Sequence, residues 1–438
     1  MTVPHADLRH FYTNCDPNKP LSGEDPRYVS LDDVRGNDAS TCVDELEQTI
    51  RFSSESCQLF TGFPGTGKTT EIGQFKKRLN DSKDLPTHVV VVNFDDYIDK
   101  YAPISITDVV RVIAYCLDRE ATEMEGKDPD KQSTYRDRFM KFLSDSEIDM
   151  SKASLSALGS TVMLEIKNNP TFYRRVDKAL SQRFQQFVNE ARESMTESVS
   201  RLKNAQLAHA QRVVCIADGL EKIAPLRDDD RDSVEKSVEM LFATHAAYLR
   251  LPCHAIYTFP LWLRYRRADL GASYDREPLV LPMVKVTDPN GKPAERGIER
   301  LLELLAKRVD LSAVFGPDWK NAVRPLILAS GGYPRDLLRL VRNVLTSNRA
   351  FPVGPANVER VIEKLAEDYG RTVLGTDLDV LVTIAKNHEL PRDNSENLDK
   401  FVRLLDRYLV LAYRNGKEWY DAHPMVRRDM RVKQRIEE

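Results

Sequence analysis

Gly62-Phe63-Pro64-Gly65-Thr66-Gly67-Lys68-Thr69 is a complete G-x-x-x-x-G-K-[ST] run, and its setting decides the fold. Cys57-Gln-Leu-Phe-Thr61 leads in as a short apolar strand. Thr70-Glu-Ile-Gly-Gln-Phe-Lys-Lys-Arg-Leu79 follows, with Ile72, Phe75 and Leu79 at helical spacing. Glycines let the backbone curl so that successive N–H groups point at phosphate oxygens, and the helix start adds partial positive charge. Lys68 then supplies a mobile cation for the β and γ phosphates, and the Thr69 hydroxyl is a magnesium ligand. The pattern predicts that residues Gly62 to Thr69, with Thr70 next on the helix, hold ATP or ADP with Mg2+.

A chain of 438 residues is too long for one core, so two to three domains are expected. Hydrophobic residues at 41% beside 30% charged ones describe a folded, rather polar protein. A net charge of −3 and a pI near 6.3 give no global pull toward nucleic acid or anionic membrane, so such a contact needs a local patch. The six cysteines are scattered without C-x-x-C spacing and read as reduced, small apolar residues. The opening stretch lacks a basic run followed by an apolar one, and no window is apolar for the length of a bilayer span. A cytoplasmic location with no membrane contact is the expectation.

Residues up to about Asp25 read as an arm or irregular lead-in, followed by Arg27-Tyr28-Val29-Ser-Leu, Asp32-Asp-Val-Arg-Gly36 and a helix from Cys42 to Phe52. Tyr28 or Val29 is placed to touch an adenine ring, or Tyr28 simply packs the start of the domain. His88-Val-Val-Val-Val-Asn-Phe94 is β-branched enough to predict a central parallel strand. A helix follows at Ile106 to Leu117, and 121–206 is expected to be a helical insertion of two to four helices. The strand pattern resumes at Arg212–Asp218. A helix through Val234, Val238, Leu241 and Leu249, a strand ending at Thr258, and a fifth strand over Leu279–Val286 complete it. Strands alternating with helices predict an α/β fold, a parallel sheet covered on both faces with ligands at the strands' carboxyl ends. From Gly297 to Asn348 the spacing is helical, Phe351–Pro355 marks a linker, and three helices with a β-hairpin around Asn415-Gly416 have the layout of a winged helix.

Asp218 closes the apolar run Val213–Ala217, where a carboxylate steadies the magnesium of a bound triphosphate; the alternative is a helix-capping aspartate. Gly219 follows where many active ATPases carry a glutamate, so either Glu221 reaches the attacking water or hydrolysis is slow. Thr258 ends the next strand and is a candidate reader of the γ phosphate, although threonine is also an ordinary β former. In Ser330-Gly-Gly-Tyr-Pro334-Arg335, glycines and a proline open a helix whose first turn presents Arg335. Its guanidinium can sense the γ phosphate, or pair with a surface carboxylate.

Together these residues resemble the AAA+ and STAND group of ATPases and, more loosely, its origin-recognition branch, over about Arg27 to His423 apart from the 121–206 insertion. Asp32–Gly36 is similar to their Gly-Arg element, Thr61–Thr69 to their nucleotide loop, and Ala217–Lys222 to the STAND magnesium strand. Gly332-Tyr-Pro334-Arg335 looks like a fusion of the STAND Gly-x-Pro element, whose proline lies by the base, with the AAA+ sensor arginine. Asp421-Ala-His423-Pro-Met resembles the place where a STAND histidine touches the diphosphate; the following acid is Pro424 here, and a surface histidine capping the final helix is the other reading. The resemblance implies a P-loop NTPase sheet with a helical lid and a winged helix. The corresponding segments are an arm at 1–26, an ATPase domain at 27–290, a lid at 291–352 and a winged-helix domain at 353–438. Arg264, Arg266, Arg267 and Arg308 stand in the general area of fingers acting in a neighbouring subunit.

Two functions fit. One is a slowly hydrolysing switch in bacterial antiviral defence that forms a homo-oligomer with ATP and signals through a protein effector partner. The other is a DNA-binding ATPase whose winged helix contacts duplex DNA through Arg427, Arg428, Arg431, Lys433 and Arg435.

Overall fold

The computed structural model describes residues 4–36, 41–146, 159–205, 210–391 and 394–438. Five strands form one sheet: β1 Cys57–Gly62, β2 Thr87–Asn93, β3 Arg212–Asp218, β4 His254–Thr258 and β5 Leu279–Leu281, in the order β2-β3-β4-β1-β5. The pairs β2·β3, β3·β4 and β1·β4 are parallel. With helices between the strands, the architecture is α/β. Val213 to Ala217 of β3 are at most 1% exposed, which is why this strand reads as an unbroken apolar run.

Register aligns the carboxyl ends of the strands. Asn93 stands opposite Asp218, Ala217 opposite Tyr257, and Phe60 opposite Thr258. Side chains reinforce this edge: the Thr258 hydroxyl donates to the Ala217 carbonyl at 3.1 Å, and the Thr61 hydroxyl to that of Phe259 at 2.5 Å.

The chain divides into two compact units that interleave along the sequence, one of Met1–Glu45, Gly62–Gln74 and Val280–Glu438, the other of Leu46–Thr61 and Phe75–Leu279. In the second unit the insertion is helical as expected, with helices Thr134–Ser144, Gly159–Asn168, Pro170–Gln182 and Phe184–Asn204; residues 147–158 of it lie outside the described ones. Phe139, Phe142 and Phe187 form its aromatic centre, and Arg201 ties it to Asp118 of the helix Ile106–Met124 at 2.7 Å.

Several expectations are corrected. β2 is an edge strand, and Val91 is 37% exposed. Its apolar character comes from the helix Ile106–Met124 that covers one face, where Glu120 holds His88 at 2.8 Å; being covered by a helix does not require a central rank. The helix expected through Val234–Leu249 is split into Arg231–Glu239, a π turn Met240–Thr244 and a 3-10 turn Ala246–Leu249, because His245 N–H donates five residues back to Met240. The fifth strand stops at Leu281. Pro282 has no N–H to give, and the N–H groups of Met283, Val284 and Lys285 donate to Ala412, Gly332 and Val34.

In the first unit the lead-in is not irregular. It begins with the helix His5–Asn14, and Arg342 lies over the Tyr12 ring at 3.8 Å and meets Asp16 at 3.4 Å. The helices Glu295–Ala306, Leu311–Phe315, Trp319–Ala329 and Pro334–Ser347 follow β5. Helices Pro355–Thr372, Leu378–Asn387 and Ser395–Asp406 then lead to the antiparallel hairpin β6 Val410–Asn415 and β7 Lys417–Ala422. Among the described residues no helix is long and apolar enough to cross a membrane. Cys15, Cys42, Cys57, Cys215 and Cys253 are buried free thiols and Cys116 is half-buried; burial pushes the Cys57 thiol up to about 12.

Gly332 sits at φ +74°, and a Cβ there would lie 1.8 Å from the Val284 carbonyl oxygen. Left-handed backbone alone costs a non-glycine residue about 1–2 kcal/mol, and here backbone would have to move as well. Gly332→Ala is therefore expected to lower the thermal midpoint by several degrees or abolish cooperative melting, as followed by circular dichroism.

Candidate functional site

β1 ends as the chain enters the glycine loop, and the helix Lys68–Asn80 begins at the loop's last residues. Gly65 and Gly67 adopt φ +86° and +101°, so the turn uses backbone space that other residues enter at a cost. The loop closes on itself. Lys68, 4% exposed, donates through Nζ to the carbonyls of Gly62 at 2.9 Å and Phe63 at 3.1 Å, and the Thr66 hydroxyl donates to Phe63 at 2.8 Å. Phe63 is turned inward at 1% exposure, while Thr69 is half-buried. The hydroxyl of Thr70 accepts from Leu21 N–H at 3.1 Å, so the N-terminal segment straps the first turn of the loop helix.

The helix Pro334–Ser347 is pre-set by the proline at its start, and it lays Arg335 on the loop. A Cβ at Gly65 would fall 2.4 Å from Arg335 Nε and 2.8 Å from its Cβ, so only glycine admits the arginine at this point. Tyr333, just ahead of Pro334, donates its hydroxyl to the Pro64 carbonyl. The sequence thus brings Pro64, Gly65, Lys68, Pro334 and Arg335 to one place in the first unit.

Asp336, next to Arg335, is fully buried. Burial alone would raise its carboxyl, but His423, Tyr369 and Arg339 hold it below the ordinary range. His423 lies 3.3 Å away through Nε2, Tyr369 donates at 2.6 Å, and Arg339 at 2.9 Å. Met425 N–H donates to His423 Nδ1 at 3.1 Å, which leaves the proton on Nε2 facing the carboxylate. His423 is 0% exposed and stacks on Tyr369, so the surface-histidine reading is wrong. The final turns need no such cap, because Asp429 accepts from Arg431 N–H.

Tyr28 and Val29 do not stand as an open pair. Val29 is buried, and the Tyr28 hydroxyl donates to Glu71 Oε2 at 3.0 Å. Arg35, 3% exposed, reaches Glu71 Oε1 at 3.5 Å and donates to the Thr66 carbonyl of the loop. Arg35, Glu71, Tyr333 and Asp336 were not predicted as site residues. Glu71 reads from sequence as an ordinary acid in a helix's first turn, and nothing local signals its burial; Arg35 was visible only inside the Asp32–Gly36 likeness.

In the second unit Asp218 is the last residue of β3 at 3% exposure, beside the buried Thr258, whose hydroxyl is committed to Ala217. Glu221 accepts from Gly219 N–H at 3.1 Å, and Lys222 pairs with Asp95 at 2.5 Å. Arg266 pairs with Glu235, Arg267 with Glu239 and Asp269, and Arg264 lies over the Tyr265 ring at 5.8 Å. In the first unit Arg308 is buried against the carbonyls of Arg27 and Leu304.

No family model and no curated protein matches the chain. Among solved structures, the ADP form of the Aeropyrum pernix ORC2 protein gives a TM-score of 0.41 at 12% identity, covering 94% of this chain and 96% of that one. The same protein in its ADPNP-ADP complexes gives 0.39 at 12%, covering 94% and 98%. CDC6P from Pyrobaculum aerophilum gives 0.34 at 12%, covering 90% and 91%. Scores this low at this identity carry no argument about what this chain does.

Burial pushes Glu71 from its ordinary 4.5 to about 7, because the long contact with Arg35 and the hydrogen bond from Tyr28 together do not repay desolvation. The folded state therefore holds the proton more tightly than the unfolded chain. Its contribution is complete below about pH 4 and is lost as pH rises through 7, a change on the order of 3 kcal/mol at 1.4 kcal/mol per unit. Glu71→Gln removes this titration, so melting midpoints from pH 5 to pH 8 should fall more steeply in the wild type than in the variant.

Proposed function

We propose that the chain binds ATP or ADP with Mg2+ in the Gly62–Thr70 loop and acts as a slowly hydrolysing ATPase switch. The observation that carries this reading is the seat of Arg335 on Gly65: a cation borne by a separate helix meets the turn where a phosphate-binding motif would hold its ligand. In this reading Lys68 balances the β and γ phosphates, and Thr69 and Asp218 hold the magnesium. Arg335 senses the γ phosphate, with Thr258 as a secondary reader. Glu221, whose carboxylate is engaged by Gly219 N–H, is a weak base for water, which suits a slow cycle. Pro334 supplies the base side, Tyr28 and Val29 pack the start of the domain beside the loop helix, and His423 acts through Asp336, the neighbour of Arg335.

The helices after Glu295 serve as the lid, and the C-terminal helices with the β6–β7 hairpin as a winged helix. Loss of the γ phosphate at Arg335 would bias this assembly between two states. Oligomerisation with ATP and a protein effector, in defence signalling, are the outputs this reading predicts. The DNA-directed reading uses the same C-terminal elements. There Arg427, Arg428, Arg431 and Arg435 pair with Asp421, Glu359, Asp429 and Asp379 at the surface, and DNA phosphates would take the place of these weak exposed carboxylate contacts.

Calorimetry with ADP and a non-hydrolysable ATP analogue tests the proposal. Lys68→Ala should weaken both by about 10- to 100-fold, as expected for a lost charge-assisted bond of about 1.5–3 kcal/mol. Arg335→Ala should leave ADP nearly unchanged and weaken the ATP analogue by roughly tenfold. Absence of nucleotide binding by the wild type, or equal loss of both ligands in Arg335→Ala, would overturn the reading.

A further inference from the structure

Tyr408 stands where a helix ending calls for glycine. It follows Arg407, the C-cap of the helix Ser395–Asp406. Its N–H donates to the Leu405 carbonyl at 2.9 Å, and Leu409 N–H reaches back to that of Leu404 at 2.8 Å. This pair of bonds is the Schellman ending, in which the residue after the cap takes left-handed backbone and is usually glycine. Tyr408 takes it at φ +59°. A bulky residue held in that region at a cost points to a task for its side chain.

The half-buried side chain packs wholly within the first unit. Its ring lies against that of Tyr333, centroids 5.9 Å apart, and Tyr333 donates to the Pro64 carbonyl of the glycine loop. Burial pushes both phenols up, and Arg335 opposes the shift at each by its charge and by hydrogen bonding, so both hydroxyls face the guanidinium. This hold is partial. Arg335 Nε, set against Gly65, has no hydrogen-bond partner among the described residues. The adjacent acid, Asp336, is engaged by His423, Tyr369 and Arg339 instead. Neutral phenols hold a guanidinium less firmly than an anion does, so a phosphate can draw it away.

We infer that Tyr408 is a positioning residue, a latch that keeps Arg335 in its seat while no γ phosphate is present and releases it when one is. This role rests on the ATPase-switch reading of the same site. Tyr408 lies at the joint between the helix Ser395–Asp406 and β6, so transfer of Arg335 from phenol to phosphate frees that joint. A triphosphate has to break the tyrosine contact before it gains the arginine, whereas a diphosphate leaves the contact in place. The latch therefore weakens ATP binding and spares ADP binding.

Calorimetry of the full chain with ADP and a non-hydrolysable ATP analogue tests this in wild type, Tyr408→Phe, Arg335→Ala and the double variant. Tyr408→Phe keeps the ring and removes one hydroxyl. It should tighten the ATP analogue by roughly threefold to tenfold, the size of one net hydrogen bond, and leave ADP within about twofold. In the Arg335→Ala background the same substitution should change neither affinity. Hydrogen exchange gives a second readout. Across 404–412, wild type should exchange faster with the ATP analogue than with ADP, and Tyr408→Phe should show the faster exchange with both. Wild type that binds neither nucleotide would overturn the switch reading and the latch together. With wild-type binding intact, three results would each overturn the latch alone: unchanged or weaker ATP-analogue binding in Tyr408→Phe, the same gain without Arg335, or exchange across 404–412 that ignores the nucleotide.

Discussion

Three consecutive backbone N–H groups, those of Met283, Val284 and Lys285, donate to Ala412, Gly332 and Val34. One short stretch of extended chain thereby joins the hairpin, the turn before Arg335 and the segment bearing Arg35. Each bond is worth about 1 kcal/mol net, but an unmade buried donor costs about 1–3 kcal/mol, so the three partners are effectively obligatory. At the Val284–Gly332 bond the two backbones also approach so closely that a Cβ on Gly332 would fall 1.8 Å from the Val284 carbonyl oxygen, which leaves little room for sliding. The placement of Arg335 on Gly65 follows from this junction more than from the arginine's own attractions.

The junction is backed by buried polar groups on the neighbouring turn. The Tyr413 hydroxyl donates to the Gly331 carbonyl at 2.7 Å, and His423 and Tyr369 both face Asp336. Removing any one of these partners would leave a buried charge or dipole unsatisfied, which is why such networks fix geometry more firmly than their net contribution suggests. The first turn of the Pro334–Ser347 helix is thus held from the hairpin side, from the preceding turn and by its own proline.

Much of this was legible in the sequence, and the rest fails for physical reasons. The loop, β1, β3, β4 and most helices announce themselves because their apolar spacing reflects burial on a regular element. The Cys42–Phe52 helix and the β6–β7 hairpin fall where periodicity and the Asn415-Gly416 turn put them. β2's rank was not legible, since a run of valines reports that a face is covered and not how many neighbours the strand has. β5 was overextended because Met283–Val286 are apolar and buried while their donors serve other partners. Burial of Glu71, Asp336 and His423 was hidden for a shared reason: polar residues enter a core only through contacts distant in sequence, and no local pattern encodes those.

The interleaving of the two units has a consequence for synthesis. The unit holding the glycine loop draws on residues before 46, on 62–74 and on everything after 279. A ribosome emits residues up to 45 and those from 280 onward more than two hundred residues apart, so this unit cannot be completed until the other has been made. No contiguous fragment of the gene encodes that unit by itself, and a cut anywhere in the intervening stretch severs its pieces.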